Sequence, residues 1–167
     1  MVSLEEHLAL LRDQSVRVGP LPAMTPANPQ EQLGQFPSDW RIIDQLTDYA
    51  FALPGVIEQP TRVAPDGSRA LTLEPSIAMN RQTFMVDSEF AHIHNPPTGS
   101  MHLMLPAPVR TLAIEKRWGL RHPFAVRGIG PAAAFFVYAP RDVSELEWAK
   151  ALLRVSHAWA SGMLSEA

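Results

Sequence analysis

Residues 89–105 constrain this fold more tightly than any other stretch. Glu89-Phe90-Ala91-His92-Ile93-His94 alternates, and so does Ser100-Met101-His102-Leu103-Met104-Leu105. Between them stand five turn-forming residues, Asn95-Pro96-Pro97-Thr98-Gly99. Two alternating runs about such a turn make a β-hairpin. Side chains along a strand point to opposite sides in turn, so His92 and His94 share one face, as do Ser100, His102 and Met104. A symmetric turn sets His94 opposite Ser100 and His92 opposite His102, with paired Cβ atoms about 4.5–5.5 Å apart on the same side. Three imidazoles and a hydroxyl then crowd one face, while Ala91, Ile93, Met101, Leu103 and Leu105 form an apolar face for helices to cover. A slip of one residue would destroy this segregation. Glu89 has the opposite parity, and only a bulge would bring it to the histidines; Asp87 or Glu115 would have to reach the site from elsewhere.

The rest of the chain supplies the layers. Ser3-Leu4-Glu5-Glu6 is a capping box that opens a short helix with Leu4, Leu8 and Leu11 on one face. Gly19 to Pro37 holds Pro20, Pro22, Pro26, Pro29 and Pro37 and admits neither a helix interior nor a central strand. It reads as an extended arm over the surface. A helix over 39–53 carries Ile42, Ile43, Leu46, Tyr49 and Ala50 at helical spacing and stops at Pro54-Gly55. Strands are expected at 56–63, 68–73 and 83–86. A helix follows the hairpin from Pro106 or Ala107 to Trp118, with Gly119 terminating it, and then a loop through Gly130. The continuously apolar 132–138 reads as a buried strand. Asp142-Val143-Ser144-Glu145 opens a last helix to about residue 161. The expected class is α+β: an antiparallel-rich sheet bearing the histidine hairpin, with helices mainly on one face. The expected division is an N-terminal helix and Pro-rich arm at 1–37 and a single α+β domain at 38–167. The arm either packs back on its own domain or makes a homo-oligomer.

Composition then narrows the chemistry. The 167 residues include six His and no Cys, which excludes disulfides, thiolate metal sites, Fe–S clusters and a cysteine nucleophile. The net charge of −3 leaves no basic footprint for nucleic acid. No apolar run is long enough to cross a bilayer, and the N-terminus has no basic signal-peptide region, so the expected location is cytoplasmic, away from membranes. Three imidazoles on one face suit a divalent transition metal held by His92, His94 and His102. They equally suit a metal-free acid–base or binding pocket, or a polar sheet surface. His122, in the loop before Pro123, Arg121 and Tyr138 are candidate substrate-binding residues. His7 and His157 lie on helices and read as structural or exposed.

The runs 89–94 and 99–103, then Glu115-Lys116-Arg117-Trp118-Gly119-Leu120-Arg121-His122-Pro123, then Tyr138-Ala139-Pro140-Arg141-Asp142, resemble the fungal luciferase family, which also includes many bacterial proteins. The likeness covers roughly 39–160. It implies an oxygen-using enzyme: fungal luciferase oxidises a hydroxylated styryl-pyrone with O₂, losing CO₂ and emitting light, with no flavin and no nucleotide. Neither the membrane attachment of the fungal members nor light emission is expected to carry over. What carries over is the pocket, with His92, His94, His102 and Ser100 as catalytic candidates and His122 beside them. The expected function is an oxygenase acting with O₂ on an enolisable, phenolic or pyrone-type small molecule. A small-molecule binding module without catalysis and a metal-dependent phosphoester hydrolase are the alternatives. The cupin pattern fails because Thr98 and Gly99 stand where its glutamate is expected and Pro96-Pro97 interrupts, the histidine-triad pattern fails at Asn95-Pro96, and there is no phosphate-binding loop or nucleophile elbow.

Overall fold

The computed structural model describes residues 2–165. In chain order the elements are β1 (Val2–Ser3), α1 (Leu4–Arg12), β2 (Ala23–Met24), β3 (Gln32–Leu33), α2 (Arg41–Phe51), β4 (Val56–Gln59), β5 (Arg69–Leu73), β6 (Glu89–Ile93) and β7 (Met101–Met104). There follow α3 (Ala107–Glu115), β8 (Gly119–Arg121), α4 (Pro123–Val126), β9 (Ala134–Val137), α5 (Val143–Ala160) and β10 (Leu164–Ser165). Six strands form one antiparallel sheet in the order β4-β5-β6-β7-β9-β8. The α+β class is as expected, and the histidine hairpin β6–β7 stands at the centre of the sheet.

The hairpin register is the symmetric one. His92 pairs with His102 and Ile93 with Met101, and the His94 amide donates to the Ser100 carbonyl at 2.8 Å. Its apolar face, Ala91, Ile93, Met101 and Leu103, joins Phe135 and Val137 of β9 in one core with residues of α1, α2, α3 and α5. Burial of side chains such as Leu46, Leu152 and Leu153, none exposed at all, stabilises this layer by roughly 1.5–3 kcal/mol each. Trp118 and Trp148 stack within it, with ring centroids 5.4 Å apart.

Local signals set the helix starts. The Ser3 hydroxyl accepts from the Glu6 amide at 3.2 Å while the Glu6 carboxylate accepts from the Ser3 amide at 2.7 Å. At α5 the Asp142 carboxylate accepts from the Glu145 amide at 2.9 Å. The Glu145 side chain completes no reciprocal box, because it is taken by Arg17 and Arg141.

Several expectations are corrected. Residues 83–86 form no strand: a 3₁₀ turn occupies Arg81–Thr83, and Val86 makes one isolated bridge to Glu89. Gly119 does not end a helix. Arg117 takes the left-handed position with φ 65°, and Gly119 is the first residue of β8. It is glycine because a Cβ there would sit 2.0 Å from the Phe136 carbonyl oxygen. The stretch 119–126, expected as loop, supplies the edge strand β8 and the short α4. The N-terminal helix α1 belongs to the common core, where Leu8 and Leu11 are buried.

The Pro-rich arm packs back on its own chain. Arg17 is buried against Glu145, with 2.9 Å between guanidinium and carboxylate. Arg117 donates to the Gly19 carbonyl at 2.7 Å and Arg141 to the Val18 carbonyl at 2.9 Å. Further on, β2 and β3 pair as a small hairpin, and the Gln32 side-chain oxygen accepts from the Ala139 amide at 2.8 Å. The arm thereby covers part of the sheet face that the main helices leave open. Among the described residues no helix is long and apolar enough to cross a membrane.

Candidate functional site: a three-histidine centre under a cleft

The open sheet face carries His92, His94 and His102, all buried. One nitrogen from each lies within 4.8 Å of the others. The His92 and His94 rings stack at 5.4 Å, and His102 stands edge-on to both, at 4.9 and 5.0 Å. Phe136 on β9, the partner of His102 in the register, lies beside them with its ring centroid 5.1 Å from that of His102.

The bulge that the parity argument required is present on β6. Ala91 is opposite Leu71 and Glu89 opposite Thr72, so Phe90 is the extra residue. A bulge re-aims the side chains on its far side. Phe90 accordingly turns into the apolar core, edge-on to His157, and Glu89 turns to the histidine face. Its buried carboxylate lies 2.8 Å from His92 Nδ1 and also accepts from Thr61 Oγ1 at 3.2 Å. Asp87 and Glu115 do not join it: Asp87 pairs with Arg62 at the surface and Glu115 is exposed at the end of α3.

Each imidazole has one nitrogen held from outside the cluster. Glu89 holds His92 Nδ1 at 2.8 Å, Ser100 Oγ holds His94 Nδ1 at 3.1 Å, and Gln30 Oε1 holds His102 Nε2 at 3.1 Å. The remaining nitrogens are His92 Nε2, His94 Nε2 and His102 Nδ1. Two of them share a contact of 2.9 Å, and His94 Nε2 is buried with no hydrogen-bond partner. Burial, and after it the charge of His92, pushes the His94 imidazole down to about 3. Burial drives His102 well below the ordinary histidine range, with His92, His94 and His122 adding to the effect. Both rings are therefore neutral near pH 7 and keep a lone pair. Three inward nitrogens with three outward partners match what a metal held by imidazoles requires, including the orienting second set of hydrogen bonds. These three histidines could hold a metal ion.

A cleft of about 640 Å³ opens over His92 and His102. Its walls include Asn28 to Gln30 of the arm, Arg62 to Asp66 of the β4–β5 connection, and Phe124 and Pro131. His122 lines it too, with its ring centroid 4.9 Å from that of His102. His122 Nδ1 accepts from the Phe124 amide at 3.1 Å, capping α4, and burial lowers its basicity. A neutral imidazole whose Nδ1 accepts carries its proton on Nε2. His94 and Ser100 lie behind this surface rather than on it.

Arg121 and Tyr138 do not line the cleft. Arg121 pairs with Phe135, so strand parity sends it to the helix side, where it is exposed. Tyr138 lies beside Phe136 but beneath the arm, with the Arg17 guanidinium 5.3 Å from its ring centre. His157 of α5 donates through Nε2–H to the Pro54 carbonyl, 2.8 Å away, and is buried, as a structural histidine would be. Gln30, Arg62 and Glu89 are the residues that strand reasoning did not place at the site. Only the bulge condition pointed toward Glu89, and no signal pointed to Gln30.

The geometry agrees with the comparisons. Residues 87–156, which contain the hairpin, β8, α4 and β9, match the family model for the luciferase domain. The luciferase of Armillaria gallica is 29% identical across 92% of this chain and 63% of its own length, and that of Armillaria mellea is the same by these measures. The luciferase of Neonothopanus nambi is 32% identical across 53% of this chain and 37% of its own. No solved structure matches the chain. The resemblance to the fungal luciferase-like family is thus borne out: residues 87–156 match the luciferase domain, and most of the chain aligns with fungal luciferases. The chain spans less than two thirds of the length of these curated relatives.

Proposed function

We propose that this chain is an oxygenase that acts with O₂ on an enolisable, phenolic or pyrone-type small molecule bound in the cleft over the three-histidine centre. One observation carries the reading: His92, His94 and His102 converge with inward nitrogens, and His92 and His102 line a cleft large enough for a drug-sized ligand. The resemblance to the fungal luciferases supports this choice of substrate class and oxidant.

His92 is the residue we assign to the substrate proton. Glu89 at its Nδ1 stabilises the imidazolium that forms, both side chains being buried, where charge interactions are strong. The Nε2–H of His122 faces the anion so formed and donates to its oxygen. The enolate carbon then supplies an electron pair to one atom of O₂. That carbon is oxidised, O₂ is reduced to the peroxide level, and the proton returns from His92 to the distal oxygen. Ser100 acts through His94, holding its ring. A metal bound by His92, His94 and His102 would supply Lewis acidity at the same place.

The test is oxygen uptake by the purified protein against a panel of phenols, 4-hydroxypyrones and β-dicarbonyl acids, with the metal content of wild type and His92→Ala measured in parallel. Uptake that falls at least a hundredfold in His92→Ala and His102→Ala is expected. A folded, metal-replete protein that consumes no oxygen with any of them refutes the reading. Loss of bound metal in His92→Ala assigns the centre to a metal.

A further inference from the structure

We propose that Gln30 is the positioning residue that assembles the three-histidine centre: carried on the arm, its carboxamide oxygen holds His102 in the tautomer whose Nδ1 lone pair faces His92 and His94. The proposal rests on the reading of these histidines as the reactive centre, and it adds the group that decides which of their nitrogens is available.

The arm is built to deliver this side chain. Thr25 and Glu31 bond across the hairpin tip, amide to carbonyl at 2.9 Å, and Thr25 Oγ1 donates to the Pro29 carbonyl at 2.8 Å. Residues 26–29 are exposed, yet Gln30 is 5% and Gln32 1% exposed. Two residues apart on an extended segment, they point to the same side. Gln32 fastens the arm to the Ala139 amide at the end of β9, and Gln30 reaches His102 Nε2 at 3.1 Å.

A carboxamide oxygen only accepts, so His102 Nε2 must carry the hydrogen. In a neutral ring Nδ1 is then bare. Nothing else in the structure selects this form: Glu89 at His92 Nδ1 leaves His92 Nε2 equally bare, so the 2.9 Å contact between His102 Nδ1 and His92 Nε2 is one that a shared proton or a metal ion fills. The orientation of His102 on β7 comes from the sheet, but its tautomer comes from the arm, 72 residues earlier in the chain.

The tautomer is read directly from long-range ¹H–¹⁵N correlations in full-length protein labelled with ¹⁵N-histidine, without substrate or metal. The wild type is expected to show His102 with a protonated Nε2 and a bare Nδ1. Gln30→Leu shifts His102 toward the Nδ1–H form, and Gln30→Glu, which keeps an acceptor, retains the wild-type pattern. A wild type with His102 protonated on Nδ1 overturns the proposal, as does a Gln30→Leu variant with the wild-type pattern. Because the spectrum needs no turnover, failure of the oxygenase reading would show in oxygen uptake alone and leave this result distinct.

Discussion

Replacing Arg17 with Met tests how the arm is held. The Arg17 side chain is wholly buried, Glu145 is 5% exposed, and the two charges meet at 2.9 Å. Burial weakens the Arg17 guanidinium's hold on its proton and the Glu145 charge opposes that effect, which marks a cation taken out of water beside a carboxylate. Removing one member of a buried pair costs about 3–5 kcal/mol, because the other charge stays buried. Glu145 keeps Arg141 as a second partner, which places the expected loss near the lower end, about 3 kcal/mol. In a chain of this length each kcal/mol lowers the midpoint by about 2–4 °C, so thermal unfolding should shift by roughly 6–12 °C. Limited proteolysis should also cut the arm between 19 and 37 faster than in wild type. A double variant, Arg17→Met with Glu145→Leu, should be less destabilised than the sum of its parts by roughly 2 kcal/mol, since no charge is left unpaired in the interior. An Arg17→Met protein within 1 kcal/mol of wild type by urea titration, with its arm equally protected, would refute the reasoning.

Three further outcomes are expected. Gly119→Ala should destabilise by more than about 3 kcal/mol, because the new methyl meets a backbone carbonyl that cannot swing aside; a loss under 1 kcal/mol in urea denaturation would contradict the contact. His94 is neutral when folded down to about 3, whereas an unfolded histidine protonates below about 6.5. Its stabilising contribution is therefore complete above 6.5 and is lost as pH falls toward 3, roughly 2 kcal/mol of it by pH 5; unfolding midpoints flat from pH 7.5 to 5 would argue against a neutral buried ring. Glu89→Gln keeps the hydrogen-bonding shape but removes the charge beside His92, so oxygen uptake should fall about 10–100-fold with unchanged thermal stability, and a variant as active as wild type would remove Glu89 from the site.

Much of the site was legible because alternation is a strict code. Given a hairpin between 89 and 105, parity alone puts His92, His94, Ser100 and His102 together, and the register His92 to His102 confirms it. Parity also defined what Glu89 needed, but whether a strand carries an extra residue depends on the neighbour it pairs with. Here Phe90 finds its place in the core beside His157, and Glu89 turns the other way. Arg121 was misplaced for the same reason in reverse: the stretch 119–121 reads as loop until β9 recruits it as an edge strand, and the pairing with Phe135 then turns the guanidinium away from the cleft.

The sequence by itself determined the elements whose causes are local: the capped starts of α1 and α5, the hairpin turn, the division of β6 and β7 into an imidazole face and an apolar face, and the absence of thiol chemistry. Tertiary structure alone decided what lies above that imidazole face. Proline and glycine state where the chain is extended but not where it lies. The fate of the arm depended on Arg17 meeting Glu145 and on Gln32 meeting Ala139, contacts that span more than a hundred residues. Those long-range bonds bring Gln30 onto His102 and enclose the cleft, so a face that is polar in the sequence becomes a buried centre only in the folded chain.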